Sequence, residues 1–186
     1  MFAWLAHRSA CARARRATAS SHWLPCPSGQ LAQVLPALGC ILYLPARQAG
    51  GAEDDPGGGL LAGHRELAPL LRTRGLHVAS TVTAEGPREW IECVDEANRS
   101  LARLYLLPDT DYLAWDAMLA GAVPSAQQPP AAEGFRAVGA HLLSFAYRRL
   151  PGLAVLEGVG PGPVSALGRG IAAEIARQEA VGLASA

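Results

Sequence analysis

Between residues 76 and 107 the sequence changes character at nearly every residue, three times over. This constrains the fold more than any other feature of the chain. Leu76, Val78 and Val82 alternate with His77, Thr81 and Thr83; after Glu85-Gly86-Pro87, Trp90, Glu92 and Val94 alternate with Glu89, Ile91 and Cys93. After Asp95-Glu96-Ala97-Asn98, Ala102, Leu104 and Leu106 alternate with Arg103 and Tyr105. A period of two residues places successive side chains on opposite faces of a strand, and the short polar breaks are turns. The segment is therefore predicted to be a three-stranded antiparallel meander at about 76–107, with strands at 76–83, 88–94 and 101–107.

The surrounding chain supplies helices and one more strand. Cys40–Leu44 is a continuous apolar run ended by Pro45 and reads as a buried strand. Gln30–Leu38 has helical spacing through Leu31, Val34, Leu35 and Leu38, interrupted by Pro36 and stopped by Gly39. Leu60–Arg74 is a helix candidate with Leu67, Leu70 and Leu71 inward, its regular part beginning at Pro69, and with Gly75 as a left-handed cap. Asp111–Ala120 is a short helix capped by Asp109 or Thr110. Phe135, Val138, Leu142 and Phe145 predict an amphipathic helix over 135–150. Leu153–Leu156 reads as a short strand, and Leu167, Ile171 and Ile175 predict a final helix over 164–180. The fold class is α+β: the meander, an extra N-terminal strand, and C-terminal helices packed against them.

Half of the 186 residues are hydrophobic, enough for one domain of ordinary size, while 20 glycines and 14 prolines predict short elements and many turns. That domain spans 30–186, with flexible loops at 46–59 and 122–133. Residues 1–29 read as a disordered arm carrying Arg8, Arg13, Arg15 and Arg16. On this reading, removal of residues 1 to about 25 leaves the thermal midpoint unchanged. The arm has the composition of an organelle transit peptide, and a misassigned start in a GC-rich bacterial gene accounts for it equally well.

All 16 cationic residues are arginine, the usage of a GC-rich genome; composition does not separate this from selection for planar oxyanion contacts. The formal charge is zero, so no global field draws the chain to nucleic acid or membrane. Cys11, Cys26, Cys40 and Cys93 form no C-x-x-C pair, which favours free thiols in a reducing, cytoplasmic setting. The longest apolar stretch, Leu31–Leu44, is too short to span a bilayer.

No catalytic signature emerges. The chain has no Gly-x-Ser-x-Gly elbow, and no two of its five histidines share metal-binding spacing on one element. His77 and His141 fall on regular elements and are the two worth following. Asp109, Asp111 and Asp116 read as helix-capping acids in preference to a carboxylate pair for catalysis. The glycines at 158–162 resemble a nucleotide loop, but Pro161 and Pro163 remove the N–H donors a pyrophosphate needs.

The sequence therefore favours an accessory binding protein over an enzyme, with a small molecule or another protein as partner. The strand rhythm of Trp90–Leu107 is similar to that of the sheets in bacterial haem-carrier proteins, without a diagnostic residue. That resemblance implies a bulky planar ligand such as haem; His77, on an ordered strand, is the candidate axial donor, and Tyr105 and Trp115 are further candidate ligand-binding residues. The alternative is nucleic acid. Gly158-Val159-Gly160, followed by Val164 and Leu167, resembles the turn of a helix-hairpin-helix motif. There, backbone amides at Gly158 and Gly160 would face a DNA phosphate, with Arg148 and Arg149 adding charge and no sequence preference expected.

Overall fold

The computed structural model describes residues 20–27, 29–47, 60–83, 86–120 and 134–185. In chain order the elements are β1 (Ser20–Pro25), α1 (Gln30–Val34), β2 (Ile41–Pro45), β3 (Leu60–Ala62), α2 (Ala68–Leu71), β4 (Gly75–Thr83), β5 (Gly86–Val94), β6 (Ser100–Tyr105), α3 (Tyr112–Ala120), β7 (Ala140–Leu150), β8 (Leu153–Val159), α4 (Ala166–Gln178) and β9 (Leu183–Ser185). The class is α+β: a nine-stranded, mostly antiparallel sheet with four short helices among the described residues. Strand order is β1-β4-β5-β6-β2-β7-β8-β3, with β9 parallel to β7.

The alternation over 76–107 folds as predicted. β4, β5 and β6 are consecutive antiparallel neighbours, with Val78 opposite Ile91 and Ile91 opposite Leu104. The apolar run at 41–45 lies between β6 and β7, and every residue of β2 is buried. Each face of the sheet has its own core. On one, Leu76, Val78, Ile91, Cys93, Leu104 and Tyr43 pack with Leu31 and Leu35 of the N-terminal helical turns and with Trp115 of α3. On the other, Leu42, Leu44, Tyr105 and Leu142 pack under Ala172, Ile175 and Ala176 of α4.

Several expectations are corrected. Residues 140–150 form β7, not a helix. Leu142 and Phe145 do have helical spacing, but they are buried on opposite faces of the sheet, beneath different cores. A strand covered on both sides shows no polar alternation to reveal it. Only one C-terminal helix, α4, therefore packs on the sheet. The helix expected over Leu60–Arg74 is broken into β3, a 3-10 turn at Arg65–Leu67 and α2, although Leu67, Leu70 and Leu71 are buried as expected. Gly75 is not a left-handed cap but the first residue of β4. A Cβ there would sit 2.7 Å from the indole nitrogen of Trp23, so glycine is what lets that ring lie across the strand.

The boundary placed at residue 29 is corrected, because part of the segment before it belongs to the sheet. Ser20–Pro25 pairs with β4 along its whole length, from Ser20 opposite Ser80 to Pro25 opposite Gly75. Leu24 and Cys26 are buried in the core. Residues 1–19, loop residues 48–59 and loop residues 122–133 lie outside the described residues. Cys26, Cys40 and Cys93 are free and buried, and burial pushes the Cys40 thiol up to about 11. No described helix is long and apolar enough to cross a membrane.

One polar lock ties α4 to the turn after β6. Asp109 accepts hydrogen bonds from the Ser165 amide at 2.8 Å and from its hydroxyl at 2.9 Å, while Ser165 Oγ caps the helix by accepting from the Gly168 amide at 2.9 Å. The acid at 109 thus caps nothing on α3, where Asp111 accepts from the Ala114 amide instead. A Cβ at Gly168 would lie 1.9 Å from Asp109 Oδ2. Gly168→Ala should therefore destabilise the fold by about 1–2 kcal/mol, through loss of the cap, despite the ~1 kcal/mol that alanine normally adds to a helix. A urea midpoint at or above that of the parent would disprove the contact.

Candidate functional site

The chemistry-bearing side chains concentrate on the face of the sheet that α4 partly covers. Strand register sets three rows across β4 and β5: His77 with Glu92, Ala79 with Trp90, and Thr81 with Arg88. β6 adds Arg103 beside Glu92 and Tyr105 beside Trp90, and β1 places Trp23 beside His77. The buried cluster beneath α4 draws on β2, β6 and β7 and includes no residue of β4. His77, Ala79, Thr81 and Trp90 are half-buried.

At the centre is a half-buried ion network. Arg103 Nε donates to Glu92 at 2.8 Å and its Nη1 donates to Glu179 at 3.1 Å. Its guanidinium also lies 4.0 Å from the centre of the Phe135 ring. Burial acts to lower the Arg103 pKa, but Glu92, Tyr105 and Glu179 outweigh it and the pKa is raised. The Tyr105 hydroxyl donates to the same Glu179 oxygen at 3.2 Å, and the Ser100 hydroxyl donates to Glu92. Burial, with the charge of Glu179 and against that of Arg103, pushes Tyr105 up to about 12. Its ring stacks on Trp90, 5.7 Å between centres and 28° between planes.

His77 sits at the margin of this network. Its Nε2 is buried and has no hydrogen-bond partner. Burial lowers the pKa of the imidazole, and the carboxylate of Glu92 opposes the shift without reversing it. The ring is thus held neutral with one nitrogen unengaged.

The three residues expected to share a ligand site do not all meet. His77 and Tyr105 lie on the same face, in adjacent rows on different strands. Trp115 is on the other face, 1% exposed, with its indole N–H donating to Glu89 at 2.6 Å. His141 is also on that other face, 3.3 Å from Glu66, close to the buried ring of Tyr43. The sequence-level choice overlooked Trp23, Arg88, Glu92, Arg103 and Glu179. Parity alone put Glu92, Arg103 and Tyr105 in alternating positions, but only the register shows that they are neighbours. No group of three or more His, Cys, Asp or Glu side chains among the described residues is arranged to hold a metal ion.

The helix-hairpin-helix reading loses its framework. The residues before the turn are strands β7 and β8, so no first helix exists. Gly158 is paired within the sheet opposite Phe145, which commits its backbone there. A Cβ on it would lie 3.3 Å from Leu143. Arg149 pairs with Ala154 at the far end of the same hairpin, and Arg148 is engaged by Glu157 at 2.7 Å. Gly158 and Gly160 are therefore not grouped with Arg148 and Arg149.

No protein-family model matches the chain, and no curated protein matches it. Solved structures similar over part of its length include three of haem-related proteins. The haem-degrading enzyme ChuS of Escherichia coli O157:H7 aligns at 19% identity and TM-score 0.44, covering 64% of this chain and 38% of that one. A structure described as ChuS, an E. coli haem oxygenase, aligns at 18% and 0.45, covering 69% and 42%. Holo-PhuS, a haem-binding protein of Pseudomonas aeruginosa, aligns at 16% and 0.38, covering 63% and 40%, so this chain spans about two-fifths of the length of the proteins it resembles.

Proposed function

We propose that this chain is a non-catalytic binding protein that holds a flat, partly apolar ligand against β4 and β5, with haem as the first ligand to test. The reading rests on one observation: His77 holds a neutral imidazole whose Nε2 is unengaged but fully covered, so that iron would reach it on displacing the atoms over it, on the part of the sheet face beyond the cluster under α4. A buried polar atom left without a partner costs stability, and such atoms are few in native proteins. A neutral imidazole is also the form that ligates iron. Haem would supply that iron; His77 would ligate it, and the half-buried Trp90, backed by the buried ring of Tyr105, would meet its apolar surface. Trp115 has no part in this proposal, because it supports the sheet from behind.

Titration of the protein with haem should give a saturable Soret shift. His77→Ala should abolish it, and His141→Ala, on the opposite face, should not. Because the folded pKa of His77 lies below that of free histidine, binding should persist somewhat below pH 6.5 and then weaken as the imidazole protonates. No saturable shift, or the same shift in His77→Ala, would remove the assignment.

A further inference from the structure

Among the described arginines, Arg88 is the one that is buried. Arg74 meets Glu96 at 2.9 Å, Arg99 meets Asp95 at 2.7 Å, Arg103 meets two glutamates, Arg148 meets Glu157, and Arg177 meets Glu174. Arg88 is more deeply buried than these, at 8% exposed, yet no described carboxylate pairs with it. Its one hydrogen bond among the described residues runs from Nη1 to the carbonyl of its neighbour Pro87, at 3.3 Å. A buried cation without a counter-ion is costly, and proteins that keep one normally supply a partner.

The rest of the guanidinium is not sealed off. The described side-chain atoms that are fully buried and unbonded belong to Thr73, Arg74, His77 and Tyr147, and none to Arg88. Its unbonded nitrogens therefore retain contact with solvent while the stem is packed. That leaves the planar N–H fork, the group best matched to an oxyanion, available for a partner. The position adds a second constraint. Arg88 stands on the same face as His77, two rows along, with Trp90 in the row between. At the usual rise per strand residue those two rows are about 13 Å apart.

We infer that Arg88 anchors a carboxylate on the ligand, which makes that ligand a planar molecule with an acidic group on its rim. The inference rests on the proposed binding face for the planar part and on Arg88 alone for the acidic part. The imidazole engages the centre of the ligand, Trp90 lies under its body, and the guanidinium fixes its orientation along β4 and β5.

The test compares haem with its dimethyl ester, in which both acids are masked, using the full chain and the variants Arg88→Met and Arg88→Lys. Arg149→Met, an exposed arginine on β7, serves as control. The parent should bind haem about tenfold or more tightly than the ester, as expected for a charge-assisted pair. Arg88→Met should bring that ratio close to one with the Soret position unchanged, because His77 is intact. Arg88→Lys, which keeps the charge and loses the fork, should fall between, and it decides the matter if the methionine variant does not fold. Equal affinity for acid and ester in the parent, with a Soret shift still lost in His77→Ala, overturns the role of Arg88 and leaves that of His77 standing. If haem gives no shift at all, benzoate and inorganic phosphate at fixed ionic strength replace it, read by melting temperature. Stabilisation by benzoate that disappears in Arg88→Met and survives in Arg149→Met supports the anion site. Equal responses in parent and variant, or stabilisation by phosphate with none by benzoate, overturn it as a carboxylate site.

Discussion

A truncation beginning at Gly29 should lose most of the stability of a reference chain beginning at Ser20. The segment between them carries β1, and Leu24 within it is 1% exposed in the core beside Leu76 and Val78. Leu24→Ala alone should cost about 2–5 kcal/mol, the usual range for emptying a fully buried leucine position. Against a typical total of about 5–15 kcal/mol, loss of the whole strand leaves little. It also strips β4 of its neighbour and exposes a long unpaired edge, so the truncated chain should aggregate as well as melt early. Urea denaturation followed by tryptophan fluorescence measures the first effect and light scattering the second. Equal midpoints for the two truncations would mean that β1 only rests on the sheet.

Replacing Arg103 with alanine should have the next largest effect. The side chains of Glu92 and Glu179 are 14% and 22% exposed, and Arg103 is the cation between them. Removing one partner of a buried pair typically costs about 3–5 kcal/mol; the residual exposure here reduces this to about 2–3 kcal/mol at neutral pH. The loss should follow the charge. Arg103→Met keeps an apolar stem over Phe135 but leaves the two carboxylates without this cation, so it should cost nearly as much as alanine, and Arg103→Lys should recover part of the loss. A methionine variant as stable as the parent would show that lost packing on Phe135, not charge, is the source.

How much could be read from the sequence depended on how many faces of each strand are buried. β4 to β6 were legible because their two sides differ, as in His77 between Leu76 and Val78. β2 was legible for the opposite reason, an uninterrupted apolar run bounded by Gly39 and Pro45. β7 was not, because Leu142 and Phe145 are buried on different faces and mimic a helical stripe. β1 was hidden by its place at the sheet edge, where Ser21 and His22 are exposed and Leu24 alone reaches the core. Of the candidate site, parity correctly separated His77 from Leu76 and Glu92 from Ile91. It could not supply the alignment between strands, and the grouping of His77, Glu92, Arg103 and Tyr105 depends on that alignment. Trp115 was misjudged for a related reason: an aromatic on a short helix carries no mark of the sheet face on which the helix lies.

The place of β2 in the sheet has a consequence for the newly made chain. Ile41 finds its partner at Leu143, and Leu42 finds its other partner at Tyr105. During synthesis the segment Ile41–Leu44 therefore leaves the ribosome long before either flanking strand has been translated. It carries no charge, and in the finished fold it is shielded on both faces and both edges. Until then it is a short, uncharged, strand-prone run with nothing to pair with, the kind of segment that associates with its like. Closing such distant pairs is also slow compared with forming the adjacent hairpins of β4 to β6. The most protected strand of the native protein is thus its most vulnerable one in the nascent chain, and yield on expression should be limited there rather than at the surface.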